Sequence, residues 1–211
     1  YIQIMKKIMK KVLFIAVVAL FGLGNVNAQE VKFGTKVGLN VSNFTGDTEG
    51  FDSKIGFNLG AYAEISLSDK LTFQPELLFS TQGASSEDSF ENETFKLTIK
   101  ANYLNIPLMM KYGLTDKFAL EFGPQLGFLL SVKGKAEGTF DGQAISEEED
   151  LKDFFKSIDF GLNFGASFDV AENIMIGARY NLGLSNIMDE EDSGDDKVQN
   201  AVFSLAVGYR F

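Results

Sequence analysis

Apolar and polar residues alternate with a period of two along most of the chain, and the last segment shows this most clearly. One parity carries Ala201, Phe203, Leu205, Val207, Tyr209 and Phe211, and the other carries Val202, Ser204, Ala206, Gly208 and Arg210. A period of two with one continuous apolar face is typical of a β-strand, not of a helix. We therefore predict a closing strand of about ten residues, the length of a tilted strand that crosses a bilayer.

Seven earlier segments show the same alternation, so the sequence predicts eight strands. Their approximate ranges, with the closing strand last, are 32–42, 54–66, 71–82, 95–112, 117–132, 157–170, 174–185 and 201–211. Short turns follow the second, fourth and sixth strands, whereas long polar loops follow the first, third, fifth and seventh. Bacterial outer-membrane barrels have an even number of strands, short periplasmic turns and long extracellular loops. The predicted fold class is all-β: an eight-stranded antiparallel transmembrane β-barrel with up-and-down order, in the cell outer membrane.

Two features interrupt the alternation. In the fourth strand the apolar residues change parity between Ile99 and Leu104, which predicts a β-bulge near residues 101–103 that turns the faces of the strand over. Pro75, Pro107 and Pro124 have no amide hydrogen for a sheet ladder, and prolines within sheets occur mostly at edges or bulges. We expect local bulges at these prolines and no break in their strands.

A soluble lipocalin-like barrel would show the same alternation with its faces reversed, so the sizes of the residues must distinguish the two. Phe, Leu and Ile dominate the apolar parity. The polar parity carries many glycines, namely Gly34, Gly38, Gly56, Gly60, Gly123, Gly127, Gly161 and Gly165. An eight-stranded barrel encloses a lumen just wide enough for side chains. Large residues in lipid and small ones in the lumen fit this geometry, so the membrane barrel is favoured.

Charged residues also fall on the polar parity. They are Lys36, Glu64, Glu76, Glu121, Arg179 and Arg210, with Lys111 and Asp159 as additional candidates. A charge on the lipid face at the bilayer midplane costs about 2–4 kcal/mol, so these side chains are expected to point inward and to pair with opposite charges. Two interpretations remain open. One is a salt-bridged plug, which the near balance of acids and bases favours, and the other is a selective or gated pore.

The first 28 residues have the pattern of a secretory signal peptide. A basic region covers residues 6–11, an apolar run covers residues 12–23, and Val26, Asn27 and Ala28 form the expected cleavage site. The apolar run is about half of the roughly 20 residues that a spanning helix needs, which favours cleavage over an uncleaved membrane anchor. We predict a signal peptide at 1–28, cleaved before Gln29, with translation starting at Met5 or Met9, and a barrel domain at 29–211.

Composition narrows the chemistry. Loss of the four lysines of the signal peptide changes the formal net charge from −10 to −14, so nucleic acid is not an expected partner. The chain has no Cys and no His, which removes disulfides, thiolate metal sites and the commonest general base. Glu76 with Glu121 is the remaining catalytic candidate, but nearby basic residues favour ionised, structural carboxylates. We predict no enzyme activity, no catalytic residue and no cofactor.

The long loops are the expected interaction surface. Residues 147–150 and 189–196 are acidic, and carboxylate oxygens are ligands for Ca²⁺ and Mg²⁺, although no EF-hand spacing is present and no dedicated metal site is predicted. Within the long loop 133–156, Ser146 and Glu149 have the spacing of a helix capping box, and Leu151, Phe154 and Phe155 follow at helical spacing. A short helix or ordered segment is expected there, leaning on the barrel rim.

The closing strand, which ends with Tyr209 and Phe211, resembles the C-terminal strand of bacterial outer-membrane barrels. Four other segments resemble the PorT-like outer membrane protein beta-barrel domain family, namely GLNVS at 38–42, QPELL at 74–78, YLNIPL at 103–108 and GPQLG at 123–127. The resemblance covers nearly all of the chain after residue 28. It implies architecture and not activity, because one fold supports many functions.

These features together predict a non-enzymatic outer-membrane protein with a structural or interaction role, a charged and plugged lumen, and acidic extracellular loops. The alternative is a narrow porin-like channel for ions or small solutes. The expected partners are outer-membrane lipid and lipopolysaccharide, divalent cations at the acidic loops, and the barrel-assembly machinery, for which Tyr209 and Phe211 are the membrane-insertion signature. The protein is expected to be a monomer.

Overall fold

The computed structural model describes residues 31–48, 50–90, 93–140, 143–189 and 196–211. The predicted signal peptide and most of the acidic run 189–196 lie outside the described residues. The strands are β1 (Val31–Gly46), β2 (Asp52–Ser66), β3 (Leu71–Phe90), β4 (Glu93–Gly113), β5 (Phe118–Phe140), β6 (Gln143–Asp150), β7 (Ile158–Ala171), β8 (Ile174–Gly183) and β9 (Val198–Arg210), with a 3-10 helix at Lys152–Phe154. Within these ranges no helix is long and apolar enough to cross a membrane.

Eight of the strands close into a ring of antiparallel pairs. β1 pairs with β2 and also with β9, from Gly34 opposite Arg210 to Gly46 opposite Val198. The other pairs of the ring are β2–β3, β3–β4, β4–β5, β5–β7, β7–β8 and β8–β9. The predicted eight-stranded barrel is confirmed. Closure leaves no strand edge in the ring, which is required in hydrocarbon because each backbone N–H and C=O needs a partner there.

The two ends of the barrel differ. Residues 67–70, 114–117 and 172–173 form the connections at one end, called here the short-turn end. The opposite, long-loop end carries extensions of the strands beyond the ring. β5 pairs with β7 over Phe118–Phe128 and with the ninth strand, β6, over Lys133–Phe140. By the rule for bacterial barrels, the short-turn end is the periplasmic one.

Two of the predicted loops are largely β-hairpins, so those loop assignments were wrong. β3 and β4 remain paired through residues 83–90 and 93–100, and β5 and β6 fill most of the loop predicted at 133–156. Ser146 and Glu149 therefore lie in β6 and form no capping box, and no side chain caps the short 3-10 helix. β6 is exposed along its whole length, so no apolar face marks this strand in the sequence, whereas Ala84 and Ile99 of the β3–β4 hairpin are buried.

The predicted bulge is present at the expected height, but it belongs to the neighbouring strand. Asn102 pairs with Ser131 and Tyr103 pairs with Leu129, which leaves Leu130 of β5 as the extra residue. β4 does not turn over: Ile99 and Tyr103 are both buried, on the same inward parity. The prediction that Ile99 belongs to the outward face was therefore wrong, because an apolar cluster inside the barrel accepts it.

The bulges predicted at the three prolines are absent. The register is the same on both sides of Pro75 in the β3–β4 pair, of Pro107 in the β4–β5 pair, and of Pro124 in the β5–β7 pair. In an antiparallel sheet, successive residues direct their N–H groups to alternate neighbours. Each proline therefore removes one donor from one ladder while the flanking bonds maintain the register.

Large apolar side chains from every strand of the ring point outward and form a continuous belt. Examples are Phe57 on β2, Phe122 on β5, Phe164 on β7 and Leu205 on β9. The rings of Phe122 and Phe164 lie 5.2 Å apart across neighbouring strands. At the chain end, Tyr209 and Phe211 are 49% and 71% exposed, with ring centroids 5.7 Å apart. The belt has the chemistry of a surface that contacts hydrocarbon.

A separate apolar cluster, called here the apolar cap, lies inside the barrel at the long-loop end. It consists of Phe44, Ala84, Ile99, Ala101, Tyr103, Leu129, Val132, Phe155 and Ile187. Phe155 pairs with Met188 in a β-bridge, and its ring lies 6.4 Å from that of Phe44. The segment after β6 is thus ordered against the rim, as expected, although an apolar contact holds it and not a helix cap.

The belt predicts a depth-dependent cost for a buried charge. Leu205→Arg places a guanidinium at mid-span, where its removal from water should lower the free energy of unfolding by about 2–4 kcal/mol. Leu114→Arg is the matched control, because Leu114 is similarly exposed (49% against 55%) but lies in a turn, where the cost is about 0–1 kcal/mol. Urea titration in lipid vesicles measures both values. Equal losses at the two positions would contradict the belt.

Candidate functional site

Four charged side chains from every second strand of the ring meet inside the barrel. They are Lys36 on β1, Glu76 on β3, Glu121 on β5 and Arg179 on β8, called here the central tier. All four are buried. In the ring order, β3 lies opposite β8 and β1 lies opposite β5. The four groups therefore approach one another from four sides of the lumen.

Arg179 connects both carboxylates of the central tier. Its Nη1 and Nη2 atoms donate to Glu76 Oε2 and Oε1 at 3.0 and 2.9 Å, and Nη2 also donates to Glu121 Oε2 at 2.7 Å. Lys36 Nζ donates to Glu76 Oε1 at 2.9 Å. Two-pronged arginine–carboxylate pairs are among the stronger and more directional hydrogen bonds in proteins. The contact between Arg179 and Glu76 spans the full width of the lumen.

The other four strands of the ring supply a second set of charges nearer the short-turn end. Glu64 on β2, Lys111 on β4, Asp169 on β7 and Arg210 on β9 form what is called here the lower tier. Glu64 accepts from Lys111 Nζ at 2.8 Å and from Arg210 Nε at 2.6 Å, while Arg210 Nη2 lies 3.4 Å from Asp169 Oδ1. Lys111 Nζ also lies 3.9 Å from Glu121 Oε1, which links the two tiers.

Each tier contains two cations and two carboxylates, so each is formally neutral. Charges removed from water are tolerated when they are paired and hydrogen-bonded. The alternation of strands between the tiers follows from barrel geometry, because tilted strands place the inward residues of alternate strands in common layers. The arrangement places ion pairs across the lumen and leaves no excess charge among these eight groups.

The structure brings together all six of the charged residues singled out from the sequence, and Lys111 with them. Asp159 is placed elsewhere: it accepts from Ser185 Oγ at 2.7 Å and from Asn200 Nδ2 at 2.9 Å, close to the apolar cap. The sequence reasoning missed Asp169. The signal was present, because Asp169 has the same parity as Asp159 along β7 and therefore points to the same side of the sheet.

A layer of amide side chains lies between the central tier and the apolar cap. Asn40 Nδ2 donates to Ser80 Oγ at 3.0 Å and Asn181 Nδ2 donates to Asn163 Oδ1 at 3.2 Å. A cavity of about 40 Å³ lies beside Lys36 and Arg179, and several of these amides contribute to its lining. A space of this size holds roughly three water molecules. Below the lower tier the lumen widens into a basin of about 650 Å³ that opens at the short-turn end.

Close packing also marks the lower part of the lumen, where Tyr62 lies over Gly34. A Cβ atom at Gly34 would come within 2.3 Å of the Tyr62 ring, so no larger residue fits without a shift of that ring. The sequence predicted that small inward residues fit the narrow lumen, and Gly34 is one of them because it makes room for the Tyr62 ring. The tiers, the amide layer and the apolar cap thus follow one another along the axis of the barrel.

At the long-loop end, the acidic residues 147–150 lie in β6 and are exposed. Lys133 Nζ donates to Glu148 Oε1 at 2.5 Å, and this hydrogen bond lowers the pKa of the Glu148 carboxyl and raises the pKa of Lys133. Successive residues of a strand point to opposite faces, so the four acids are divided between two sides. Across the described ranges no group of three or more acidic side chains is arranged to hold a metal ion.

The sequence profile of the family described as "Outer membrane protein beta-barrel domain" matches residues 27–189. The chain belongs to this family. Membership agrees with the closed ring, the outward belt and the inward charges, and it assigns the protein to the cell outer membrane. The narrower PorT-like resemblance stays a prediction. A search of curated protein sequences found no match.

Several solved structures are similar to this outer membrane beta-barrel protein. Ail, the attachment invasion locus protein of Yersinia pestis, has 18% sequence identity over 86% of this chain and 99% of that chain, with a TM-score of 0.47. Neisserial surface protein A has 15% identity with the same coverage and a TM-score of 0.43. The N-terminal barrel of Pseudomonas aeruginosa OprF has 12% identity over 86% of this chain and 100% of that chain, with a TM-score of 0.38.

The central tier predicts that Arg179 is important for stability. Arg179→Met leaves Glu76 and Glu121 buried with only one neighbouring cation in their tier, and it should lower the free energy of unfolding by about 3–5 kcal/mol. Lys96→Met is the surface control, because it breaks the exposed Lys96–Glu87 pair and should cost less than about 1 kcal/mol. Urea titration in lipid vesicles compares the two.

A double variant separates loss of charge balance from loss of packing. Arg179→Met with Glu121→Gln keeps the Lys36–Glu76 pair and a neutral tier, so it should recover part of the stability lost by Arg179→Met alone. The free energy of unfolding of the Glu121→Gln single variant gives the comparison. If the double variant loses the sum of the two single losses, charge pairing is not the reason for the loss.

Proposed function

We propose that this protein is a non-enzymatic structural and interaction protein of the outer membrane, with a lumen closed by ion pairs and an extracellular end that contacts partners. The contact of Arg179 with both Glu76 and Glu121 is the observation that carries the proposal. It joins strands on opposite sides of the ring. An ion would have to break these bonds, and then pass the apolar cap, in order to cross.

The same contacts support the absence of catalysis. Glu76 and Glu121 were the carboxylates best placed for acid–base chemistry, and a general acid or base needs access to a substrate proton. Both carboxylates are buried and accept hydrogen bonds from Arg179, and Glu76 also accepts one from Lys36. Glu76 Oε1 also accepts from Gln74 Nε2 at 2.6 Å, and Glu121 Oε1 lies 3.9 Å from Lys111 Nζ. This arrangement suits a structural role.

Several partner assignments belong to the same proposal. The outward belt is suited to outer-membrane lipid and lipopolysaccharide. The exposed Tyr209 and Phe211 at the end of the closing strand suit recognition by the barrel-assembly machinery during insertion. A closed ring has no free edge in the membrane for a second copy, which supports a monomer. Divalent cations remain a prediction for the acidic run 189–196.

Planar-bilayer recording tests the closed lumen against the alternative of a narrow channel. The purified, refolded protein should give no steady openings, whereas a conducting porin in the same bilayer serves as the positive control. Glu121→Ala and Arg179→Ala should remain silent as single changes, because the apolar cap persists. Steady openings of the unmodified protein, with a conductance or ion preference changed by Glu121→Ala, would overturn the plug and establish the channel.

A further inference from the structure

β6 is a strand with one open edge. It pairs with β5 along its full length, and no described residue pairs with its other side. Its burial differs from that of the ring strands, because all eight residues of Gln143–Asp150 are exposed. In the ring every strand has two neighbours. β6 therefore carries one of the two open edges of the sheet that projects from the long-loop end. The other is the last part of β3, beyond Ser85, where the pairing with β2 stops and the pairing with β4 continues.

The hydrogen-bond pattern of the β5–β6 pair shows which backbone N–H and C=O groups of β6 point away from β5. Leu151 N donates to Val132 O at 3.0 Å, directly next to the last pair of the ladder. Bonded and non-bonded pairs alternate in antiparallel sheets, so Glu149, Glu147 and Ile145 direct their N–H and C=O groups at β5. The residues between them direct theirs at the open edge: Ala144, Ser146, Glu148 and Asp150. These four residues can form a ladder with one more strand.

The charge of the edge decides which strand fits. The second half of β6 is Glu147, Glu148, Glu149 and Asp150, so acids occur on both faces. In a parallel pair with β6 of a second copy the acids would lie opposite acids, and in an antiparallel pair they would lie mostly opposite the uncharged residues 143–146, so neither pairing supplies a cation. Charged residues on edge strands also act against such self-association. Like charges on adjacent strands destabilise a pair, whereas opposite charges stabilise it. A basic strand offers these acids opposite charges, which a copy of β6 does not.

The first half of β6 adds an apolar element. Ile145 is 51% exposed and lies on the same face as Glu147 and Glu149. On that face the neighbouring residues of β5 are small, namely Gly134, Ala136 and Gly138. An apolar side chain of an added strand can therefore pack beside Ile145, while basic side chains lie beside the acids.

We propose that β6 binds an extended, lysine- or arginine-rich segment of another protein, which joins the projecting sheet as an additional strand. Strand addition of this kind takes its affinity from main-chain hydrogen bonds and its selectivity from side chains on alternate faces. The inference rests on the proposed role of the long-loop end as an interaction surface. It does not depend on whether the lumen conducts, so bilayer recording and the test below fail independently.

The probe is an eight-residue peptide with valine and threonine in one half and four consecutive lysines in the other, made in both sequence directions. It is added to the full barrel in lipid nanodiscs at low ionic strength. Binding should slow hydrogen exchange at the edge amides of Ala144, Ser146, Glu148 and Asp150. A peptide with glutamates in place of lysines, and a lysine peptide N-methylated at two central residues of opposite parity, should give no protection.

Matched variants separate the main-chain and charge contributions. Ser146→Pro removes an edge N–H without touching the β5 ladder and should weaken peptide binding at least about tenfold, whereas Ser146→Ala keeps the N–H and should change it by less than about twofold. Exchange at Glu147 and Glu149 reports whether β6 stays paired with β5. Glu147→Gln with Glu149→Gln should weaken binding by roughly tenfold, and Asp69→Asn with Asp116→Asn, at the short-turn end, should not.

Two outcomes overturn the proposal. The first is absence of binding to the lysine peptide in either direction at low salt. The second is binding that leaves exchange of the β6 edge amides unchanged or that Ser146→Pro does not weaken, since the contact would then be electrostatic and would not be strand addition. Protection confined to the edge amides, lost in Ser146→Pro and retained in Ser146→Ala, supports it.

Discussion

Charged side chains that are buried away from water need opposite charges beside them, and the interior of this barrel is built around that constraint. The lumen of an eight-stranded barrel is narrow, and this one contains eight ionised side chains in two layers. Each layer has equal numbers of cations and carboxylates, joined through Arg179 in the central tier and Glu64 in the lower tier. The amide layer and the apolar cap lie beyond these layers toward the long-loop end, and the lumen widens into a basin at the short-turn end. The outward belt follows from the same alternation, because successive residues of a strand point to opposite faces. With the polar residues inside, the apolar residues face the lipid.

Backbone pairing differs between the part of the barrel in the membrane and the part in water. Within the ring, β1 and β9 close the sheet, so no ladder is open to hydrocarbon. Beyond the ring, the hairpins of β3–β4 and β5–β6 stand in water, where an open edge costs little. β6 exists only in this region, and its acidic residues are exposed. The open side of β6 is thus located where solvent can form hydrogen bonds with it and where a partner can reach it.

The sequence predicts the parts of the structure that depend on alternation alone. The eight ring strands, the short turns and the inward direction of Lys36, Glu76 and Arg179 all follow from parity. Parity does not give the stagger of the strands along the barrel axis. The contacts within the tiers depend on that stagger, so the sequence did not predict them. Ile99 was assigned to the wrong face because parity carries no information about an apolar cluster inside a barrel. β6 was missed because a strand with water on both faces has no apolar parity.

The tiers also specify the register of strand pairing more narrowly than the alternation of apolar and polar residues can. A slip of one residue between strands turns the belt inward, and the apolar pattern alone rejects it. A slip of two residues preserves both faces, yet it moves an inward side chain about 7 Å along its strand, beyond the reach of a hydrogen bond. Glu64 would then lose Lys111, Arg210 or both, which would leave buried charges unpaired. Buried ion pairs often add little net stability compared with apolar packing, whereas removal of one partner is costly. The tiers therefore act chiefly by excluding even-numbered slips, which fixes the stagger of the ring that positions β5 and its partner β6.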